Sequence, residues 1–207
     1  MTPDDFSEKA NALCEVCRLF GERQWCLATS GNFSLRIDDS HCLITQSGTE
    51  KSKLSSDDLM ICDFDGNATD QQFRPSAETP LHTCLYSLDT EIGAVLHTHS
   101  VASTVLSRSV DSGLTLVGFE MQKALIGVTS HEESITIPVF ENDQNRTALA
   151  KRIRQAWADG KFGVPGFLIK GHGLYAWGKE LSEAQRHTEG FEFLFDCALQ
   201  EKLVLQG

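Results

Sequence analysis

Two histidines two residues apart, His97 and His99 in the segment Val95-Leu96-His97-Thr98-His99-Ser100, carry the clearest chemical spacing in this chain. On a strand, residues i and i+2 point to the same face. Both imidazoles can then reach one ion at about 2.0–2.1 Å without distorting the backbone. The apolar run Gly93-Ala94-Val95-Leu96 in front of them supports a strand. Two histidines on one face also occur as hydrogen-bonded surface pairs, so the metal reading needs more ligands. A catalytic zinc usually takes three protein ligands and keeps one position open. His172 is the candidate third ligand: it stands between Gly171 and Gly173, just after Phe167-Leu168-Ile169. Glycines there let the backbone turn sharply and bring the ring inward. Glu78 and Glu120 are carboxylates that would replace or supplement it. His41 and His131 lie in polar, turn-like surroundings and read as solvated. His82 and His187 fall on expected helices and read as packing or surface residues.

Three polar loops have the chemistry of anion cradles: Thr29-Ser30-Gly31-Asn32-Phe33-Ser34, Ser47-Gly48-Thr49-Glu50-Lys51-Ser52-Lys53 and Pro75-Ser76-Ala77-Glu78-Thr79-Pro80. Each combines hydroxyls with N–H groups freed by glycine or by a helix start, and one adds lysines. Such loops can wrap a phosphate. Each alone also reads as an ordinary turn, because Ser, Gly and Asn are turn residues.

The elements that must position these groups are readable from periodicity. Phe6, Ala10, Leu13, Val16, Cys17 and Phe20 have helical spacing over 5–20, with Gly21 as the expected stop. Strands are expected at 33–37, 42–45, 59–62, 94–96, 115–117, 135–139 and 167–169, and helices at 79–88, 101–108, 147–158 and 182–203, with Ser182 as the cap of the last. This interleaving predicts one α/β domain over residues 1–207, three-layered, with a largely antiparallel or mixed central sheet.

Bulk properties limit the function classes. The chain has 207 residues, 41% hydrophobic and 23% charged, an ordinary globular composition. A net charge of -11 argues against general nucleic-acid binding, which needs a basic surface. No apolar run approaches the roughly 18 residues of a membrane span. The acidic opening Met1-Thr2-Pro3-Asp4-Asp5-Phe6 lacks the order of an export signal. Seven scattered cysteines fit reduced thiols, and a cytoplasmic location is the expectation. Cys14 and Cys17 share a helical face and read as small core residues, since no second pair follows at zinc spacing.

In order and rough spacing, Thr29–Ser34, Ser47-Gly48-Thr49, Pro75–Glu78, His97–Ser100 and Gly171-His172-Gly173 resemble the class II aldolase/adducin-like family, over nearly the whole chain. Within it the chain most resembles the dehydratase branch, through Ser47–Lys51, His97–Ser100 and Gly118–Ala124. The resemblance implies a three-layer α/β/α domain with a mainly antiparallel sheet. It also implies one Zn²⁺ per subunit on His97, His99 and His172, and a homotetramer with sites near subunit interfaces. The substrate would be a small sugar phosphate, its phosphate held by Gly31, Asn32, Ser47, Gly48, Lys51 and Ser76. The implied reaction removes water from 5-methylthioribulose 1-phosphate in methionine salvage. Glu120 matches the acid/base position of the dehydratases and Glu78 the base of the aldolases, so both are candidate catalytic residues. Flanked by Phe119 and Met121, the Glu120 carboxyl is expected to have a raised pKa. Phe119, Met121 and Trp177 are candidates for the methylthio pocket, against a core-packing role.

The competing readings are a sugar-phosphate aldolase, a pentulose-phosphate 4-epimerase and a non-enzymatic adducin-type interaction module. Aldolase members draw a tyrosine from near the C-terminus, whereas Tyr86 and Tyr175 are the only tyrosines here and the tail 201–207 has none. A non-enzymatic module has no need of His97, His99 and His172.

Overall fold

The computed structural model describes residues 3–205; the ends of the acidic N-terminal segment and of the tyrosine-free tail lie outside the described residues. The elements are α1 (Pro3–Glu22), β1 (Asn32–Arg36), β2 (His41–Thr45), β3 (Leu59–Asp63), α2 (Thr79–Leu88), β4 (Ala94–Thr98), α3 (Val101–Arg108), β5 (Gly113–Leu116), β6 (Ile135–Phe140), α4 (Arg146–Ala158), β7 (Gly166–Ile169), β8 (Gly173–Gly178) and α5 (Leu181–Leu205). The strands form one sheet in the order β3-β2-β1-β4-β8-β7-β6-β5. Every neighbouring pair is antiparallel except β6 and β7.

Helices cover both faces. Val95, Phe167, Ile169, Tyr175 and Trp177 pack with Leu81, Leu85, Leu149 and Ile153 of α2 and α4. The alternate residues of the same strands face α1, α3 and α5: Leu96 lies with Leu13 and Phe20, and Leu168, Leu174 and Ala176 lie with Leu106, Phe191 and Phe195. The α/β/α layering with a mainly antiparallel sheet is the one expected. No helix among the described residues is long and apolar enough to cross a membrane.

Three local expectations are corrected. Gly21 does not stop α1. The helix closes with Gln24 in the left-handed region (φ 61°), where the Trp25 N–H donates to the Phe20 carbonyl and the Gln24 N–H to that of Gly21. These are the two bonds of a Schellman motif, and the Phe20 and Trp25 rings, 5.1 Å apart, supply its apolar contact. Ser182 is not a cap but lies inside α5; the chain entry is tied by the Lys179 N–H donating to Glu183 Oε2 at 2.8 Å. Finally, β8 was not expected. Its six residues, Gly173-Leu174-Tyr175-Ala176-Trp177-Gly178, are buried on both faces and bounded by glycines, so they show no alternation to read. Yet β8 lies beside the histidine strand, with His97 opposite Tyr175 and Thr98 opposite Leu174. Cys14 and Cys17 are buried, as expected of core residues.

Candidate metal centre

The pleat of β4 sends His97 to the α2/α4 face, between Asn32 of β1 and Tyr175 of β8. Its ring stacks on Tyr175, with centroids 4.0 Å apart and planes 16° from parallel. His97 Nδ1 lies 2.8 Å from the Leu174 carbonyl. A carbonyl only accepts, so the ring proton sits on Nδ1 and Nε2 presents a bare lone pair. His99 follows just past the strand end, its N–H donating to the Trp25 carbonyl at 2.7 Å. His172 comes from the β7–β8 turn, which α3 pins: Thr104 Oγ1 donates to the His172 carbonyl and the Gly171 N–H to Ser107 Oγ, each at 3.0 Å.

The three Nε2 atoms converge. His97 Nε2 is 2.8 Å from that of His99 and 3.3 Å from that of His172, and the possible ligand atoms of the three rings lie within 4.8 Å of one another. Burial, the largest cause in each case, depresses all three pKa values: His97 well below its ordinary value, His99 to about 3, and His172 also downward. Three neutral imidazoles aiming lone pairs at one point repel each other, and a cation relieves that repulsion. The donor set therefore fits a divalent ion such as zinc, with a position left open.

Beside His172 stands a carboxylate clamp. Glu78, the residue before α2, accepts from Arg146 (Nη2 at 2.8 Å and Nε at 3.0 Å, both to Oε1) and from the Tyr175 hydroxyl (2.6 Å, to Oε2). Burial and the neighbouring Glu78 keep the Tyr175 phenol protonated, so it donates. Arg146 Nη2 also lies 3.3 Å from His172 Nδ1. When His172 Nε2 binds a cation, Nδ1 carries the ring proton and cannot accept, which makes this a packing contact. Arg146 and Tyr175 are the site residues that sequence reasoning missed. One signal pointed to Arg146: a cation in the first turn of a helix opposes the helix dipole, so another demand must hold it there.

The three polar loops meet at this end of the sheet. Lys51, buried, donates to the carbonyls of Thr49 (2.8 Å) and Thr29 (3.3 Å), joining the first two. The Ser47 N–H donates to the carbonyl of Arg74, the residue just before the third loop. Ser76 Oγ accepts from the N–H of Glu78 at 3.2 Å. Gly31 backs onto the triad: at φ +80°, a Cβ there would lie 3.1 Å from the His97 carbonyl and 3.0 Å from Cys26 Sγ. Asn32 donates to Thr45 through Nδ2, while its buried Oδ1 has no partner among the described residues. Ser47 and Gly48 are exposed.

Glu120 stands apart. It sits on the exposed 3₁₀ turn Glu120–Ala124, its side chain 69% exposed and paired with Lys123 (2.7 Å) and His131 (3.2 Å). The raised pKa expected for it is corrected: the hydrogen bond from Lys123 holds it below the usual range. Glu120 makes no contact with the three histidines. Trp177 and Phe119 pack in the two cores, while Met121 is partly exposed. His41 bonds Asp38 at the surface, and His82 and His187 are buried packing residues, as expected.

Comparison with known proteins places this architecture. Residues 11–199 match the family model described as "Class II Aldolase and Adducin N-terminal domain". Methylthioribulose-1-phosphate dehydratase of Serratia proteamaculans is 50% identical over 199 residues, covering 96% of this chain and 97% of that protein. The protein of the same name from Yersinia enterocolitica is 53% identical, covering 93% and 92%. Among solved structures, L-fuculose-1-phosphate aldolase of Thermus thermophilus superposes with a TM-score of 0.76 at 23% identity, over 97% of this chain and 99% of that one, a likeness of fold. With 189 consecutive residues inside the family model and half of its residues shared with full-length relatives, this chain belongs to the class II aldolase and adducin N-terminal domain family.

Proposed function

We propose that this chain is a zinc-dependent hydro-lyase, a methylthioribulose-1-phosphate dehydratase, converting 5-methylthioribulose 1-phosphate to 2,3-diketo-5-methylthiopentyl 1-phosphate as a cytoplasmic step of methionine salvage. The observation that carries the metal chemistry is the convergence of the Nε2 atoms of His97, His99 and His172. The choice of reaction rests on the dehydratases that share half of its residues along their length.

Bound at the triad, the cation supplies Lewis-acid polarisation of the substrate ketone. The chain supplies the rest. The loops carrying Gly31, Asn32, Ser47, Gly48, Lys51 and Ser76 hold the phosphate, with the hydroxyl of the exposed Ser47, the N–H of the exposed Gly48 and the hydroxyl of Ser76 as donors. Glu78 already accepts at both oxygens, so it braces Arg146 and Tyr175 beside His172 rather than moving a proton. Glu120 is the acid/base: held as a carboxylate, it takes the C3 proton and passes it to the departing C4 hydroxyl, which leaves as water, and the resulting enol becomes the diketone. Exposed beside Val117 and Met121, it serves the site of a neighbouring subunit in a homotetramer of single-domain chains. Both tyrosines are fully buried and hydrogen-bonded, so neither offers the free phenol that aldol cleavage draws on.

The test is incubation with 5-methylthioribulose 1-phosphate, following diketone formation with and without a chelator. Diketone that forms only with metal is expected; cleavage to two carbon fragments, or activity indifferent to chelation, overturns the reading. Glu120→Gln is expected to keep its zinc and lose turnover, and normal turnover sinks its assignment.

A further inference from the structure

Of the three imidazoles, His97 alone has an acceptor for its outer ring nitrogen among the described residues, the Leu174 carbonyl; Arg146 packs against that of His172, and that of His99 has no partner among those residues. Metal-binding histidines are ordinarily oriented through that second nitrogen. The direction of His99 is instead set by its backbone, through the Trp25 carbonyl and through the residues on either side, Thr98 and Ser100.

Thr98 leads through the sheet to an unexplained carboxyl. Strand alternation points Thr98 away from the histidines, toward α5. There Thr98 Oγ1 donates to Glu192 Oε1 at 2.5 Å. The Ser100 hydroxyl turns the other way, donating to Ser103 Oγ at 2.9 Å while its oxygen caps α3 by accepting the Ser103 N–H at 3.0 Å. Glu192 is 1% exposed, and its Oε2 has no partner among the described residues. Burial raises its pKa to about 7. A carboxyl buried without a cation partner is costly to keep, and such groups cluster where a site needs them.

We propose that Glu192 is a positioning residue for the metal centre: from the far side of the sheet it locks Thr98, the residue between the two histidines of the strand, and so fixes the direction of His99. This rests on the metal reading above. It predicts that loosening the lock weakens the ion's hold while the fold survives, because the groups removed lie behind the ligands.

The experiment measures zinc affinity by competition with a chromophoric chelator, alongside circular dichroism and thermal unfolding of the metal-free proteins. Glu192→Leu and Thr98→Val are expected to weaken zinc binding about tenfold or more. Glu192→Gln keeps an acceptor for Thr98 and is expected to stay within about threefold of wild type. Thr98→Val is nearly isosteric and decides the matter if Glu192→Leu does not fold. Folded variants binding zinc within twofold of wild type overturn the positioning role, as does a Glu192→Gln protein as weak as Glu192→Leu. A wild-type protein that takes up no zinc overturns the metal reading and this proposal with it.

Discussion

The Glu78–Arg146–Tyr175 clamp shows how much of this site depends on single partners. Arg146 and Glu78 expose only 9% and 13% of their side chains. Removing one member of a buried pair strands the other's charge. Arg146→Met is therefore expected to destabilise the fold by about 3–5 kcal/mol, measured by urea unfolding; a loss below about 1 kcal/mol would mean that water takes over the arginine's role. Buried titratable groups also set the pH dependence. Burial lowers the His82 pKa from 6.5 to about 3. Between those values the unfolded chain carries a proton that the folded chain lacks, so stability falls as pH falls. His97, His99 and His172 shift in the same direction. Glu192 acts oppositely: raised from 4.5 to about 7, it removes stability as pH rises through that span. Four histidines outweigh one glutamate, so the urea midpoint in chelator should drop between pH 7 and pH 5, with a shallower slope for His82→Gln. A midpoint that rises on acidification would contradict this assignment.

At the level of elements, β4 and β8 form the frame on which the triad hangs. Gly173 begins β8 tight against the end of β4: a Cβ there would fall 1.9 Å from the Thr98 carbonyl. No side chain can shift to relieve a clash with backbone. Gly173→Ala is expected to destabilise the fold by about 3 kcal/mol or more and to lower zinc content, checked by urea unfolding and elemental analysis; wild-type values in both would show that the strands separate freely there. The strands flanking the site were legible unevenly for physical reasons. β1, β2 and β4 carry alternating or apolar runs, and α2 and α3 begin and end where periodicity placed them. β8 was not legible, because a central strand buried on both faces shows no alternation. The end of α1 was missed because a Schellman cap needs only a residue that tolerates positive φ, and Gln24 takes that place instead of glycine.

On the scale of the molecule, the exposed apolar side chains are distributed unevenly. Val117, Met121, Ile126 and Phe193 expose between 37% and 54% of their surface around the Glu120 turn and α5, and Val101 and Val105 expose 70% and 46% on α3. Large exposed apolar groups mark association surfaces. Light scattering should find about four times the 22.9 kDa of one chain. Phe193→Asp should release smaller species that keep zinc but lose turnover, since Glu120 would no longer reach a neighbour's site. A monomeric protein with full turnover would refute that arrangement.

Residue types and short spacings belong to the sequence, and they were enough to nominate the histidines. The i, i+2 pair at the end of an apolar strand and a glycine-flanked third histidine are local patterns, and the antiparallel α/β/α layering follows from periodicity that each segment carries within itself. What only the tertiary structure decided is which distant residues meet. Arg146 and Tyr175 close on Glu78 across 68 and 97 positions, and Glu192 reaches Thr98 across 94. Such contacts depend on how the helices pack against the sheet, and no local periodicity encodes them. For the same reason Glu120, flanked by apolar residues in the chain, proved to be a solvent-exposed carboxylate beside Lys123: burial is a property of the packed molecule and not of a residue's neighbours in sequence.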